Sequence, residues 1–511
     1  MSIDRIFLTS TALGLSLFGT SALADITAAE IWGDWRAYLE GMGYSVSATE
    51  AAGNGALAVN DITVKGSSET GDAAVILQLG TLRFIENGDG SVDVVMPESM
   101  PIKIDIPAEG ATPPATMEIV YSQTGHKMTA RGDAAAIAYD YTADAFGLAL
   151  TTLTVDGDVL DQNSARFALN GTDLTSKTEV TTGDSRTYVQ NMQIGGATYD
   201  VFFKDPDGLE AVALNSTLAA LAFSGISVLP TDVMPQTQDL APLLESGFSF
   251  DGTFGVNGTQ TEVVVTSEEG DTKIKTASAR SELAVAMGQN GIRYSTAAKE
   301  VQVGGQLAGL PFPLFIEMAE AGFELTAPVL KAATPQDFKF GFNMTDFTMS
   351  DIIWALFDPA GQLPRDPATV VLDLSGKARV LVDGLSSGVA QQMAATGAAP
   401  AEVEALTINR LTADAIGAKI EATGDLTFDN TDKLTLPGFP KPVGDINIDI
   451  SGANGLMDKL TAMGILPADQ AMGARMMMGL FAVPGAEPDT LKSRIQFDET
   501  GQILANGQRI K

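Results

Sequence analysis

Alternation of apolar and polar side chains gives the first picture of this chain. "KIDI" (103–106), "DFKFGFNM" (337–344) and "DINIDI" (445–450) each put apolar residues on one face and polar ones on the other, the period of a half-buried strand. Strand signals recur at short intervals from about 57 to 230 and again from about 248 to 450. Alternation without long unbroken apolar runs predicts antiparallel sheet with one face toward solvent. "TLRFIENGDGSVDVVMP" (81–97) predicts a hairpin around Asn87-Gly88-Asp89-Gly90, and Asn290-Gly291 marks another turn.

Helical spacing interrupts this pattern in few places. "DITAAEIWGDWRAYLEGMGYSV" carries a capping-box pair, Thr27 and Glu30, followed by Ile31, Trp35, Leu39 and Met42, with Gly41 and Gly43 as stops. "MSDIIWALFD" (349–358), ended by Pro359, and "SSGVAQQMAATG" (386–397) predict two short helices. Residues 452–485 predict a pair broken between Gly464 and Pro467. The closing stretch, "FDETGQILANGQRIK", alternates around Thr500-Gly501 and Asn506-Gly507, which predicts a final hairpin. Strands that close outer-membrane barrels typically end in an aromatic residue. This chain ends in Arg509-Ile510-Lys511 and is 7% aromatic, so the hairpin is expected to cap a soluble protein.

The expected fold is α+β and β-dominated, with long twisted antiparallel sheets in two lobes and helices packed on the apolar face. The expected divisions are a signal peptide at 1–24, an N-terminal helix plus first lobe at 25–245, a second lobe at 246–451, and a C-terminal helical pair with hairpin at 452–511. The Pro-rich segment 228–248 sets the boundary between the lobes, and 511 residues exceed the usual size of one core. Segments 120–141 and 265–287 share a strand–turn–strand rhythm that suggests an old duplication.

The first residues read as an export signal. Arg5 precedes the apolar "IFLTSTALGLSLFG", and Ala22 and Ala24 stand at the small-residue positions before Asp25. Cleavage after Ala24 and a periplasmic location follow as expectations. No later apolar run is long enough for a membrane-spanning helix.

Charge and composition remove several activities. There are 64 acidic residues against 31 basic ones, a net charge of −33, and such a field repels nucleic acid and anionic headgroups. Cysteine is absent, which excludes disulfides, thiolate metal sites and thiol catalysis. Gly384-Leu385-Ser386-Ser387-Gly388 fits the nucleophile-elbow pattern between a strand and a helix. However, the sole histidine, His126, precedes the serine, whereas that fold orders its triad Ser, acid, His. His126 reads as an exposed turn residue. "ENGDGSVD" (86–93) and "FDNTDK" (428–433) faintly resemble calcium loops but lack the distal Glu, and turn chemistry explains both. A carbohydrate site would stack sugars on aromatic rings, and the three tryptophans, Trp32, Trp35 and Trp354, fall in predicted helices. No catalytic residue, cofactor or metal is expected.

Met472, Met476, Met477 and Met478 place flexible thioethers on the C-terminal helices, a composition that suits either irregular core or adaptable apolar binding. Phe338, Phe340 and Phe342 share one strand face by alternation. These three, with Met472 and Met476 opposite them, are the candidate lining of an apolar groove between sheet and helices; the same five positions also suit ordinary core.

"EIWGDWRAYLEGMGYSV", "LPRDPATVVLDLSGKARVLVDG" (363–384) and "ISGANGLMDKLTAMGILPADQAMGARMMMGLFA" through "ANGQRIK" resemble the domain-of-unknown-function family 2125. The resemblance implies an exported protein of a Gram-negative bacterium and brings no activity or functional residue. In topology, a signal followed by long antiparallel runs is similar to AsmA-like envelope proteins, which implies a link to envelope lipid homeostasis by fold analogy alone. The expected function is that of a non-enzymatic periplasmic envelope protein binding a lipid or other apolar ligand. The alternative is a scaffold that binds other envelope proteins through a sheet edge.

Overall fold

The computed structural model describes residues 25–67, 74–108, 113–205, 208–231, 240–386, 388–389, 393, 395, 397 and 399–511. The expected signal peptide and half of the residues of the helix expected at 386–397 lie outside the described residues.

Most strands that are neighbours in sequence are also paired in space. Ser45–Gly53, Ala56–Ser67 and Ala74–Glu86 pair in order. The next two rungs are each split. Val92–Val95 with Ser99–Ile106 faces Ala74–Glu86, and Ala115–Thr124 with Lys127–Asp133 leads on to Ala136–Val155. From there the ladder passes through Ala165–Thr182, Ser185–Lys204, Ala211–Pro230, Ser249–Ser267, Gly270–Gly288, Gly291–Gln306 and Leu314–Ala327. It ends with Gln336–Met349, Ala368–Val380, Ala401–Ala415, Ala418–Asp429, Lys441–Ser451, Thr490–Phe497 and the short closing strands Ile503–Ala505 and Gln508–Arg509. Every pairing is antiparallel, so short turns suffice to connect them. Among the described residues no pairing joins the first strand to the last, and the sheet has open edges there.

The ladder runs unbroken through the boundary expected at 245/246. Ala211–Pro230 and Ser249–Ser267 pair from Ala211↔Thr266 to Val228↔Ser249. The Pro-rich segment between them is thus a connection between adjacent strands of one sheet.

Turn chemistry explains the tight hairpins. Asn54-Gly55, Asp156-Gly157, Ile416-Gly417 and Asn506-Gly507 each form a two-residue loop with both φ values positive, the conformation whose twist matches paired strands. A second set of left-handed residues crosses the long strands. At Asp173, Ala220, Gly258, Glu300 and Asp346, with φ of 54°, 49°, 79°, 52° and 52°, pairing lapses and then resumes in the same register. The interruptions occur at matching heights, so they form a crease across the sheet, where bulge-like backbone bends the strands.

Helix α1 (Ala28–Gly41) starts with the expected capping box at Thr27 and Glu30. It lies on one face of the first strands, where Ile31 and Trp32 join Leu57, Leu82, Phe84, Val92 and Val94 in the buried core. Each fully buried side chain of this size contributes roughly 1.5–3 kcal/mol. The indole N–H groups of Trp32 and Trp35 donate to Glu50 Oε1 at 2.8 Å and the Tyr139 hydroxyl at 3.0 Å. Helices α2 (Leu240–Glu245) and α3 (Asp351–Trp354) are short. Helices α4 (Ala453–Ala462) and α5 (Ala468–Phe481) form the expected broken pair. No described helix is long and apolar enough to cross a membrane.

Candidate apolar-ligand face

Registry links the core under α1 to a face that, among the described residues, leaves large aromatic side chains exposed. Directly opposed residues share a face, and one row of them crosses the sheet. It begins Leu57, Phe84, Val94, Met128, Tyr141, Ser176, Met192, Phe223, Phe254. It continues Leu283, Thr296, Phe323, Phe342, Leu372, Leu411, Ala422, Ile448 and Ser493. Under α1 these side chains are buried, as Phe84 is completely. Beyond the helix the same row surfaces, and Phe254 and Phe342 are 42% and 41% exposed.

Two flanking rows continue the character. One passes through Tyr294, Leu325, Phe340, Leu374, Ile408 and Ile446. The other passes through Val256, Ala298, Met344, Val370, Ile420 and Ile450. None of the three rows holds a charged residue from Ser185–Lys204 to Thr490–Phe497. The interleaved positions carry the charges, including Glu324 with Lys339 at 2.8 Å and Arg293 with Asp251 at 2.9 Å. The middle of the apolar face is hollowed into a trough of about 720 Å³ lined by Phe254, Val256, Leu283, Met318, Phe342 and Met344. A smaller hollow of about 360 Å³ lies against the edge of α1, between Trp35, Leu39, Met128, Tyr139 and Tyr188. A third hollow, about 920 Å³, has Glu262, Lys275, Gln260 and Gln302 in its lining. Lys275 and Glu262 stand 3.6 Å apart and well exposed, an arrangement with no convergent chemistry.

At the α1 end, Arg186 donates from Nη1 and Nη2 to Asp34 Oδ1 and Oδ2, both at 2.6 Å, and from Nε to the Tyr188 hydroxyl. Burial works against its charge, but Asp34 and Tyr188 together more than offset this and raise its pKa. Tyr139 is pushed up to about 12, chiefly by burial.

The sequence-predicted lining divides in two. Phe338, Phe340 and Phe342 occupy alternate positions of one strand and face the same way, opposite Gly376, Leu374 and Leu372. Met472 and Met476 do not meet them; they stand 71% and 73% exposed on α5. The α5 terminus is tied instead to the strand Thr490–Phe497, where Ser493 Oγ donates to the Phe481 carbonyl at 2.6 Å. A 3.6-residue period gave the direction of the methionines around the helix but not where the helix docks. The row members Phe223, Phe254 and Phe323 were missed, although each has one polar neighbour in its own strand, Ser224, Thr253 and Glu324.

The other motifs resolve as turns. Ser386 donates its backbone N–H to the Asp383 carbonyl; Ser387 lies outside the described residues. His126 is half-buried, not exposed as expected, because it bonds the Met96 carbonyl at 3.0 Å. Asp89 accepts from the Ser91 hydroxyl at 2.6 Å, and Asp429 from Thr431 Oγ1 at 2.6 Å. These bonds hold both carboxyls below their usual range. Among the described residues no group of three or more His, Asp or Glu is placed to hold a metal.

No family model matches the chain, and no curated protein matches it. Among solved structures it is similar to the alcaligin outer membrane receptor FauA from Bordetella pertussis. The identity is 10% and the TM-score 0.17, over 90% of this chain and 69% of that one. So slight a likeness carries no argument about fold or function.

Proposed function

We propose that this is a non-enzymatic, exported envelope protein that carries the acyl part of a lipid on the uncovered apolar face of its sheet. The observation behind this reading is the set of three adjacent uncharged rows that leave Phe254, Tyr294 and Phe342 each more than 40% exposed. Contiguous apolar surface of this kind marks a binding site far more often than it marks idle surface. Its dimensions fit. Six inter-strand steps from Phe223 to Leu372 span roughly 29 Å at about 4.8 Å each. One leaflet's acyl chains occupy about 15 Å, half the hydrocarbon thickness of a bilayer, so a chain lies easily across several strands. Export with cleavage after Ala24, a periplasmic location and membership of family 2125 belong to the same reading. So does a division of the one continuous sheet into two lobes at its 228–248 connection, with α1 packed over one end of the face.

The test is native mass spectrometry of the protein purified without detergent, with lipid extraction of the same sample. A stoichiometric lipid that disappears in Phe342→Asp, with the fold intact, is the expected result. An apo mass with no uptake of added lipid rejects the reading. It would favour a scaffold that pairs through the open edge strand Ser45–Gly53, which has a single partner strand among the described residues.

A further inference from the structure

We propose that the third hollow, of about 920 Å³, is a second binding site that takes a short uncharged oligosaccharide. It shares no lining residue with the trough proposed for the acyl chain. One row of directly opposed positions crosses it: Asn170, Thr198, Thr217, Gln260, Ala277 and Gln302. Side chains opposed in this way share a face. Five inter-strand steps carry the row over roughly 24 Å at about 4.8 Å each, a spacing of about one sugar ring per strand.

The side chains of this row suit hydroxyl recognition. An amide offers two donors and a carbonyl acceptor together, and a threonine hydroxyl serves as either, which is what adjacent sugar hydroxyls require. The side chains of Asn170, Gln260 and the neighbouring Asn215 hydrogen-bond to no other described residue. Gln302 gives one bond, to Glu317 Oε1 at 3.0 Å. The next row supplies an aromatic ring. Gly304 lies directly opposite Phe315, and a Cβ on Gly304 would stand 3.1 Å from that ring. The ring therefore lies over bare backbone and is 41% exposed, a platform for the C–H face of a pyranose. The ionised residues in the lining balance, Asp200 and Glu262 against Lys273 and Lys275. Hydrogen bonds and ring contact are thus what the hollow offers a ligand. An extended peptide suits it less. Strand addition needs unpaired backbone, and each strand from Ala165–Thr182 to Gly291–Gln306 is already paired on both sides.

The full chain is titrated with cellotetraose, with N-acetylchitotetraose and, as the peptide control, with hexaglycine. Binding is read by isothermal calorimetry and ligand-observed NMR. The expected result is saturable binding of at least one of the two sugars. Gln260→Ala or Phe315→Ala, both at exposed positions, should weaken it roughly two- to tenfold. Phe342→Asp, in the trough, should leave it unchanged. Circular dichroism checks that each variant keeps its sheet. No saturable binding of either sugar at about 10 mM overturns the proposal. So does binding of hexaglycine in their place, or sugar binding that both hollow variants leave intact. Sugar binding lost in Phe342→Asp would move the site to the trough and overturn it equally. None of these outcomes bears on lipid capture, which tests the acyl-carrier reading by itself.

Discussion

Arg186 and Asp34 meet in a bidentate ion pair, 2.6 Å on each arm, with only 14% and 16% of their side chains exposed. The guanidinium lies 5.2 Å from the Tyr38 ring and 5.3 Å from the Tyr188 ring. Asp34 and Tyr38 belong to α1, while Arg186 and Tyr188 belong to the sheet, so the pair fastens the helix at the point where the covered part of the apolar face ends. Removing one partner strands a largely buried charge, which costs about 3–5 kcal/mol. Asp34→Asn is expected to lower the denaturant midpoint accordingly. Asp34→Leu combined with Arg186→Leu should cost clearly less than either single change, and a chemical-denaturation double-mutant cycle checks this.

The phenylalanines of the row divide by cover. Phe84 is fully buried beneath Trp32 and Trp35, with ring centroids 6.3 and 5.6 Å away, so Phe84→Ala should cost about 3–5 kcal/mol. Phe342 and Phe254 sit on the same face but are more than 40% exposed, and their truncation to Ala should cost about 1 kcal/mol or less. Equal losses at buried and uncovered positions would mean that the outer row is closed core and not a binding face. Thermal denaturation of the three variants decides it.

Much of this arrangement is legible in sequence, and the limits have physical causes. Period-two alternation identified the face of Phe338, Phe340 and Phe342, because side-chain direction in a strand depends only on position. Asn506-Gly507 announced its hairpin through two residues that tolerate positive φ. Ile416-Gly417 did not, because isoleucine carries no turn signal. Ala220 and Glu300 likewise gave no sign of the crease. The sheet's continuity through residue 245 was hidden, because a Pro-rich segment ends a strand equally well whether a new lobe or merely the next strand follows. The exposure of Met472 depends on what α5 touches, and helical periodicity does not contain that.

The Ile416-Gly417 turn is strained in a way that mutation can relieve. Ile416 has φ of 48°, where a β-branched side chain crowds its own backbone, and it is only half-buried. Ile416→Asn supplies a residue suited to this turn position and should raise stability by about 1 kcal/mol. The reverse sign holds next door. Gly417 has φ of 82°, and an added Cβ would lie 3.0 Å from Pro364, so Gly417→Ala should cost about 1–2 kcal/mol. Equilibrium unfolding of both variants should show opposite shifts.

Asp489 supplies the cap that Gly452 cannot. Its carboxylate accepts from the backbone N–H of Asn454 at 3.1 Å and of Gly455 at 2.9 Å, at the start of α4. Burial opposes its charge, but these donors prevail and lower its pKa. A carboxyl depressed in the folded state adds stability that is present above its unfolded value near 3.9 and lost as pH falls through the folded value. Asp489→Ala should therefore cost about 1 kcal/mol at neutral pH, and the difference from the parent should shrink as pH falls below the unfolded carboxyl value near 3.9, measured by urea unfolding.

Tyr139 makes the alkaline counterpart. It is 7% exposed, accepts the Trp35 N–H, and is raised to about 12 by burial, against about 10 in an unfolded chain. Because the folded value is the higher one, the stability it contributes is intact below pH 10 and is lost as pH rises toward 12. Two units correspond to roughly 2–3 kcal/mol. Tyr188, beside Arg186, is also raised, chiefly by burial, so α1 should loosen in that pH window before the rest of the sheet does. Tyr139→Phe removes the titrating hydroxyl and should flatten the stability profile between pH 10 and 12. Tryptophan fluorescence should follow the change, because Trp32 and Trp35 both lie in α1. An unchanged profile in the variant would assign the alkaline loss to other tyrosines and leave Tyr139 as packing alone.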